Sequence, residues 1–354
     1  MAEVVILTIK IAVAMLFVLN LAGLLTWAER RQSAFIQDRL GPNRASVFGF
    51  RLAGLLHPVA DGIKMIMKED FVPAGADRVV HTIAPLIALF PAFVAYAVIP
   101  FGDQLVIFGR EVNLVVSEIN VGILLVVAVM GLAIYGVFLG GWASNNKWSL
   151  LGALRSAAQM ISYEVTLGLT IIGVLMVYQS IRLDEIVRAQ GNLLFGFIPM
   201  WGIITQPVGF LLFFTAAMAE SKRTPFDLPE GESEIVAGYF LEYSGMKWGM
   251  FFMGEFAEIV VIAGVIASLF LGGWQIPWVS TEMLTSVFPG WIVALIQIGV
   301  FTTKVVALCW LQLTIRWTLP RFRYDQLMRL GWKMLLPLSL ANIFVTGLVI
   351  LLLQ

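Results

Sequence analysis

WGMFFMGEFAEIVVIAGVIASLFL, residues 248–271, carries only two charges, Glu255 and Glu258. A helix needs roughly 20 consecutive apolar residues to cross the hydrocarbon core, so this stretch reads as a span. Its two acids fall at i and i+3 on one helix face, where two close carboxylates are expected to share a proton. Seven more runs are similar: about 4–27, 79–100, 119–141, 157–178, 198–219, 290–315 and 334–353. The whole chain is 59% hydrophobic and 13% charged, with mean hydropathy +0.89. A soluble domain carries roughly 25% charged residues. The expected fold is an all-α integral membrane protein of about eight transmembrane helices, with a cytoplasmic amphipathic helix in the first loop. Residues 1–354 form a single transmembrane domain in this reading. The first apolar run lacks a basic leader and a cleavage site, so it is expected to stay in the mature chain.

Basic residues orient the spans. The loop after the first run holds Arg30, Arg31, Arg39, Arg44, Arg51, Lys64, Lys68 and Arg78. Alternate loops add Lys147 and Arg155, then Lys222, Arg223 and Lys247, then Arg316, Arg321, Arg323, Arg329 and Lys333. The other side has Arg110, Arg182 and Arg188, while Lys10 and Lys304 lie within spans. The basic side is the expected cytoplasmic side, which leaves both termini on the opposite side. No internal repeat is visible, unlike the paired halves of many transporters.

The first loop is too long for a simple connector. It turns at Gly41-Pro42-Asn43-Arg44 and from Leu52 to Glu69 becomes amphipathic. His57, Asp61, Lys64 and Lys68 form one polar stripe. The stripe suits a surface helix with its charges in water, or a wall facing a polar cavity beneath a partner. In the loop between the fifth and sixth runs, Pro225 and Pro229 interrupt any helix. Asp227, Glu230, Glu232, Glu234 and Glu242 gather there, as a solvated acidic loop or as the start of a path that continues inward.

The inward continuation is Glu164, Glu220, Glu255 and Glu258, with Lys304 as the natural internal partner. A charge at the bilayer centre costs roughly 2.5–3.5 kcal/mol on insertion scales, so such groups must be paired, hydrated or protonated. A set of them suits a hydrated proton path; each alone suits a bond between helices. The single cysteine, Cys309, is too few for an iron–sulfur cluster, and His57 and His81 at the membrane edges make a poor haem pair. No redox centre, metal site or nucleic-acid site is expected in this chain.

These segments together resemble the NuoH-type subunit of bacterial complex I, the NADH:quinone oxidoreductase, and its counterpart, mitochondrial NADH dehydrogenase subunit 1. The carriers are Glu29-Arg30-Arg31, Arg39-Leu40-Gly41-Pro42-Asn43-Arg44, Ala60-Asp61-Gly62-Ile63-Lys64 with Lys68-Glu69-Asp70, and Gly141-Trp142-Ala143-Ser144. Leu154-Arg155-Ser156 with Ile161-Ser162-Tyr163-Glu164, Arg223-Thr224-Pro225-Phe226-Asp227-Leu228-Pro229-Glu230 and Arg323-Tyr324-Asp325-Gln326 complete them. The resemblance implies a membrane-arm component of a proton-pumping enzyme that helps form a quinone-access chamber. Glu29, Arg30, Arg31, Arg39, Asp61, Lys64 and Lys68 map to that chamber. Glu164, Glu220, Glu230, Glu232, Glu234, Glu242 and Glu255 map to an acidic funnel. Quinone is then the substrate, and NADH, FMN and iron–sulfur clusters belong to partner subunits. The implied partners are peripheral-arm quinone-reducing and iron–sulfur subunits, other membrane-arm subunits and lipids. His57, Phe240 and above all Glu258 depart from the family pattern. Two alternatives stay open: an equivalent membrane component of a hydrogenase or other non-NADH dehydrogenase, and a stand-alone proton-coupled transporter.

Overall fold

The computed structural model describes residues 2–353 apart from Phe108, Gly109, Phe195 and Glu230. The side chains of Ala2, Val106, Ile107, Arg110, Glu232 and Ser233 are also outside the description. Among the described residues, seven helices are long and apolar enough to cross a membrane. They are α1 (Ala2–Ile36), α3 (Arg78–Tyr96), α4 (Gly122–Ala143), α5 (Lys147–Tyr178), α10 (Gly245–Phe270), α12 (Gly290–Thr318) and a final pair. That pair is α13 (Tyr324–Arg329) and α14 (Leu336–Leu353), continuous through a π-helical turn at Leu330–Leu335. Shorter helices are α2 (His57–Met67), α6 (Leu183–Ala189), α7 (Gly202–Thr205), α8 (Pro207–Glu220), α9 (Glu232–Ile235) and α11 (Thr281–Val287).

The stretch from 248 to 271 is the axis of the bundle. Its apolar window is 83% buried, against 17% for α1 and for the last long helix. A helix apolar all round belongs either in lipid or inside protein, and α10 is inside: it packs on α1, α3 and α12. Around it α3 packs on α4, α4 on α5, and α5 on α8 and α14. Small residues set the closest approach, as expected where lipid offers no hydrophobic drive between helices. A Cβ on Gly136 of α4 would lie 2.3 Å from the backbone nitrogen of Ala88 in α3.

The run at 198–219 is where the eight-span expectation departs from the structure. Residues 198–199 form half of a short hairpin (β3 Leu193–Leu194, β4 Ile198–Pro199), and the helix is broken between α7 and α8. Pro207 has no N–H to continue the ladder, and Gln206 turns out of helical geometry at φ −136°. The Gln206 side chain at the break is tied to α14: it donates to Thr346 Oγ1 at 2.8 Å and accepts from Asn342 Nδ2 at 2.9 Å. With 14 residues, α8 falls short of a full crossing on its own. Other ends also differ. α5 begins at Lys147, capped by the Asn146 side chain, rather than near 157. The first-loop helix covers 57–67 rather than 52–69, because Leu52–Gly54 make a 3₁₀ turn with left-handed φ at all three residues. Gly54 is obligatory there: its φ is +88° and a Cβ would sit 2.1 Å from the Pro42 carbonyl oxygen.

The loops that carry most of the basic residues meet at one end of the bundle. The opposite end holds the β3–β4 hairpin and a second one (β1 Gln104–Ile107, β2 Arg110–Asn113), with α6 and α11.

Candidate functional site

Four groups of the polar stripe and the first helix end converge on one cavity. Arg30, near the end of α1, meets Asp61 of α2 at 2.6 Å. With Lys64, Lys68, Tyr243, Trp248 and Phe252 they line a cavity of about 270 Å³. Directly beside it, sharing Asp61, Met65 and Phe252, is a mainly apolar cavity of about 240 Å³ between α1, α2 and α10. A charged compartment thus abuts an apolar one. Trp27 of α1 ties down the preceding turn by donating to the Ala53 carbonyl at 3.1 Å. His57 is held out of the cavity, with Nδ1 2.9 Å from the Gly54 oxygen.

One helix position before Arg30, Glu29 turns inward. Its carboxylate lies 2.9 Å from Arg316 of α12 and 3.5 Å from Arg223 of the α8–α10 loop. Arg223 in turn lies 3.1 Å from Glu255 and 4.3 Å from the centre of the Phe256 ring. Glu255 also accepts a hydrogen bond from the Tyr239 hydroxyl at 2.8 Å. Arg223, Glu255 and Tyr239 are all buried, so this is a desolvated cluster in which each charge depends on the next. The loop is pinned to the helices beneath it. Gln159 of α5 donates to the Ala219 and Phe226 carbonyls, and Ser149 donates to that of Tyr239.

Deeper still, Glu258 lies 3.5 Å from Lys222. Glu220, at the end of α8, and Glu164 of α5 both face a cavity of about 20 Å³ whose other walls are apolar, room for roughly one water. The Glu164 carboxylate rests on a helix glycine: a Cβ on Gly131 would come within 2.6 Å of its Oε1.

Of the remaining residues singled out from the sequence, Asp227 is within electrostatic reach of Arg223 and Glu255, and the others are placed apart from this line. Arg31 donates to the Leu40 carbonyl and stacks over Phe35; Arg39 bonds Gln37 and Ser33. Neither is among the residues lining the two first-loop cavities. Glu242 accepts from Asn146 at 2.6 Å, and Glu234 pairs with Arg155 at 2.6 Å. Asp227 pairs with Arg321 at 2.9 Å. Glu230 and the side chain of Glu232 lie outside the described residues.

One expectation about pairing is corrected. Glu255 lies beside Arg223 and Glu258 beside Lys222, so each carboxyl has a cation at hand. Lys304 is not their counter-ion. Its ammonium donates to the carbonyls of Leu271, Gly273 and Gln275 at 2.7, 2.9 and 2.7 Å and sits over the Trp201 ring. That turn follows α10, sixteen residues beyond Glu255, about 24 Å along a helix. A lysine inside an apolar helix needs acceptors, and the open carbonyls of a helix end supply them.

A family model described as NADH dehydrogenase matches residues 9–347. The chain belongs to that family. Among its relatives is a Geobacter metallireducens protein named as H subunit 1 of NADH-quinone oxidoreductase. The two are 48% identical over 343 residues, covering 97% of this chain and 96% of the relative. H subunit 2 of the same-named enzyme in Geobacter sulfurreducens is also 48% identical, over 97% and 95% of the two chains. The corresponding figures for the H subunit of Thermomicrobium roseum are 48%, 94% and 92%.

In this member of the NADH dehydrogenase family, the cations are the part of the site that sequence reading missed. Lys222 and Arg316 served there only to orient the loops, and Arg223 only for that and as part of a family motif, yet they hold Glu258, Glu29 and Glu255. The signal was available: several buried acids require as many nearby cations, and Lys222 and Arg223 closely follow Glu220. The aromatic cavity wall of Tyr243, Trp248 and Phe252 was missed because those residues read equally well as core.

Asp227 gives a pH expectation. Burial raises its pKa to about 6, with the nearby Arg321 opposing. A carboxyl that holds its proton more tightly when folded contributes stability below its unfolded pKa, near 4, which is lost as pH rises through about 6. Amide exchange in residues 221–244, corrected for intrinsic rates, is therefore expected to quicken between about pH 4 and 6 and to level off above that. Asp227→Asn should flatten that profile; an unchanged profile in the variant removes Asp227 as its cause.

Proposed function

We propose that this chain is the NuoH-type membrane subunit of an NADH-quinone oxidoreductase, that it walls a quinone-access chamber, and that its buried charges couple events there to proton translocation. The observation that carries the reading is spatial order. A cavity edged by Arg30, Asp61, Lys64 and Lys68 leads by adjacent helix residues and ion pairs to Glu29, Arg223 and Glu255. Glu220 and Glu164 lie beyond, around their own small cavity. The relatives' names supply the enzyme; the family resemblance adds the expectation that NADH, FMN and iron–sulfur clusters sit in partner subunits.

The chemistry follows from the pairs. A head group that gains negative charge in the cavity competes with Asp61 for Arg30 and is drawn to Lys64 and Lys68. Weakening of the Arg30–Asp61 pair changes the field at Glu29, the adjacent residue on α1. Glu29 shares Arg223 with Glu255, so the change reaches Glu255 as an altered share of one guanidinium. Guanidinium stays protonated throughout; the groups able to take up or lose the proton are the carboxyls. Glu220 and Glu164 are then the inward acceptors, and Asp227, Glu234 and Glu242, with Glu230 and Glu232, extend the acidic surface outside. The apolar cavity beside the charged one suits a quinone tail and lies between α1 and α2. The basic end faces the cytoplasm in this reading, at the inner membrane, with both termini on the far side and peripheral-arm subunits covering the basic loops.

In the assembled complex, Glu220→Gln and Glu255→Gln are each expected to lower quinone-linked proton translocation at least about tenfold, the effect of roughly 1.4 kcal/mol on a barrier. Electron flow from NADH to an artificial acceptor should persist. Parent-like translocation in both variants would sink the coupling role.

A further inference from the structure

Lys222 is 2% exposed, yet it belongs to a loop rather than to a membrane helix. Its backbone lies in the left-handed region, at φ +55°, a conformation uncommon outside glycine. Its ammonium lies 3.5 Å from the Glu258 carboxylate. Charge-assisted hydrogen bonds are about 2.7–2.9 Å, and Glu258 Oε2 makes none with the described residues. The pair is buried but slack. The same ammonium sits 6.0 Å over the ring of Tyr239, which bonds Glu255.

Glu220 is the second carboxyl within electrostatic reach of Lys222, and Glu258 acts on it too. Among the described residues no cation lies within salt-bridge distance of Glu220. Among the described residues Lys222 is thus the one cation within electrostatic reach of Glu220, while Glu258 also feels Arg223, whose guanidinium is already held by Glu29 and Glu255. Two adjacent buried carboxyls that compete for one ammonium are best satisfied with one ionised and one protonated.

We infer that Lys222 is a mobile counter-charge that pairs with Glu258 or with Glu220, whichever is ionised, and so makes Glu258 the step between Glu255 and the Glu164 cavity. In the first arrangement of this scheme Glu258 is ionised beside Lys222 and Glu220 holds the proton. A proton arriving from the Glu255 side forms an O–H bond on Glu258 and cancels its hold on Lys222. The ammonium keeps all three protons and turns to Glu220. Glu220 then loses its own O–H proton toward the Glu164 cavity. One proton enters and one leaves, with the charge of the trio unchanged. Among the described residues, the other charged and titratable groups facing the trio are Glu255, Arg223, Tyr239 and Glu164.

The inference rests on the coupling role proposed above, and a set of variants in the assembled complex separates the two. Lys222→Arg keeps the charge, but its planar fork grips a carboxylate in two places and resists transfer. Lys222→Met combined with Glu258→Gln removes the pair without leaving a lone buried charge. Both are expected to assemble and to pass electrons from NADH to an artificial acceptor. Both should lose quinone-linked proton translocation at least about tenfold, as for a barrier raised by roughly 1.4 kcal/mol. A merely structural pair predicts parent-like translocation in Lys222→Arg, and that result overturns the inference even if the double variant fails to assemble. If Lys222→Arg is parent-like while Glu220→Gln and Glu255→Gln are impaired, only the mobile counter-charge is lost. If all are parent-like, the coupling role falls with it.

Discussion

Arg223→Met is expected to be among the most damaging single changes in the chain. The guanidinium lies between Glu29 and Glu255, both largely shielded from solvent, and over Phe256. Removing it leaves Glu29 leaning on Arg316 and takes from Glu255 the cation 3.1 Å away, while the neutral Tyr239 hydroxyl goes on donating to that carboxylate. Breaking a buried ion pair by deleting one partner costs about 3–5 kcal/mol, because the other charge stays buried. Methionine fills much of the volume, so the loss is electrostatic rather than a cavity effect. The expected result is a lower unfolding temperature and quinone-linked turnover near background. A conservative Arg223→Lys variant keeps the charge but not the fork that reaches two carboxylates, and should fall between. Glu255→Gln introduced into the Arg223→Met background is expected to recover part of the stability, since a buried negative charge is removed along with the cation that faced it, but none of the coupling. Full coupling in Arg223→Met would mean that the cluster carries no signal. Full stability would mean that it is more hydrated than its burial implies.

The residues themselves account for what could be read in advance. Length and apolarity identify α10 and most of the other long helices, because a membrane leaves a helix little alternative for satisfying its backbone. The acids of α10 were visible for the same reason: Glu255 and Glu258 are conspicuous in a run of apolar neighbours. Their partners were not, since a contact between the α8–α10 loop and the α10 helix depends on how that loop folds back, which no periodicity records. Lys304 shows the converse error. A buried lysine suggests a buried acid, yet backbone carbonyls at the end of α10 are equally good acceptors. The 198–219 run reads as one unbroken helix for a third reason, its apolar composition concealing a break that Gln206 and Pro207 impose beside the Gln206 bonds to α14. Within the candidate site, Arg30, Asp61, Lys64 and Lys68 meet at one cavity, whereas Arg31 and Arg39 brace the adjoining turn.

Gly152→Ala is the second change expected to have a large effect, although it touches no charge. On α5, a Cβ at position 152 would lie 2.6 Å from the Gly238 Cα and 2.8 Å from both the Gly238 carbonyl carbon and the Tyr239 nitrogen. Those are backbone atoms, so no side chain can swing aside. Gly238 has φ +63° and begins the 3₁₀ turn Gly238–Phe240 that aims Tyr239 inward. The added methyl group must push that turn away from α5, straining the Ser149–Tyr239 hydrogen bond of 2.8 Å. Overpacking of this kind costs about 1–3 kcal/mol. The displacement also carries the Tyr239 hydroxyl off Glu255 and its ring away from Lys222. Quinone-linked translocation should therefore fall more than the stability loss alone explains, and Tyr239→Phe, which removes the hydroxyl without moving the turn, should reproduce part of the functional loss at little cost in unfolding temperature. If Gly152→Ala lowers stability while translocation per assembled complex stays at the parent level, the position of Tyr239 is irrelevant to coupling. The contact between α5 and the loop would then serve only to hold the bundle together.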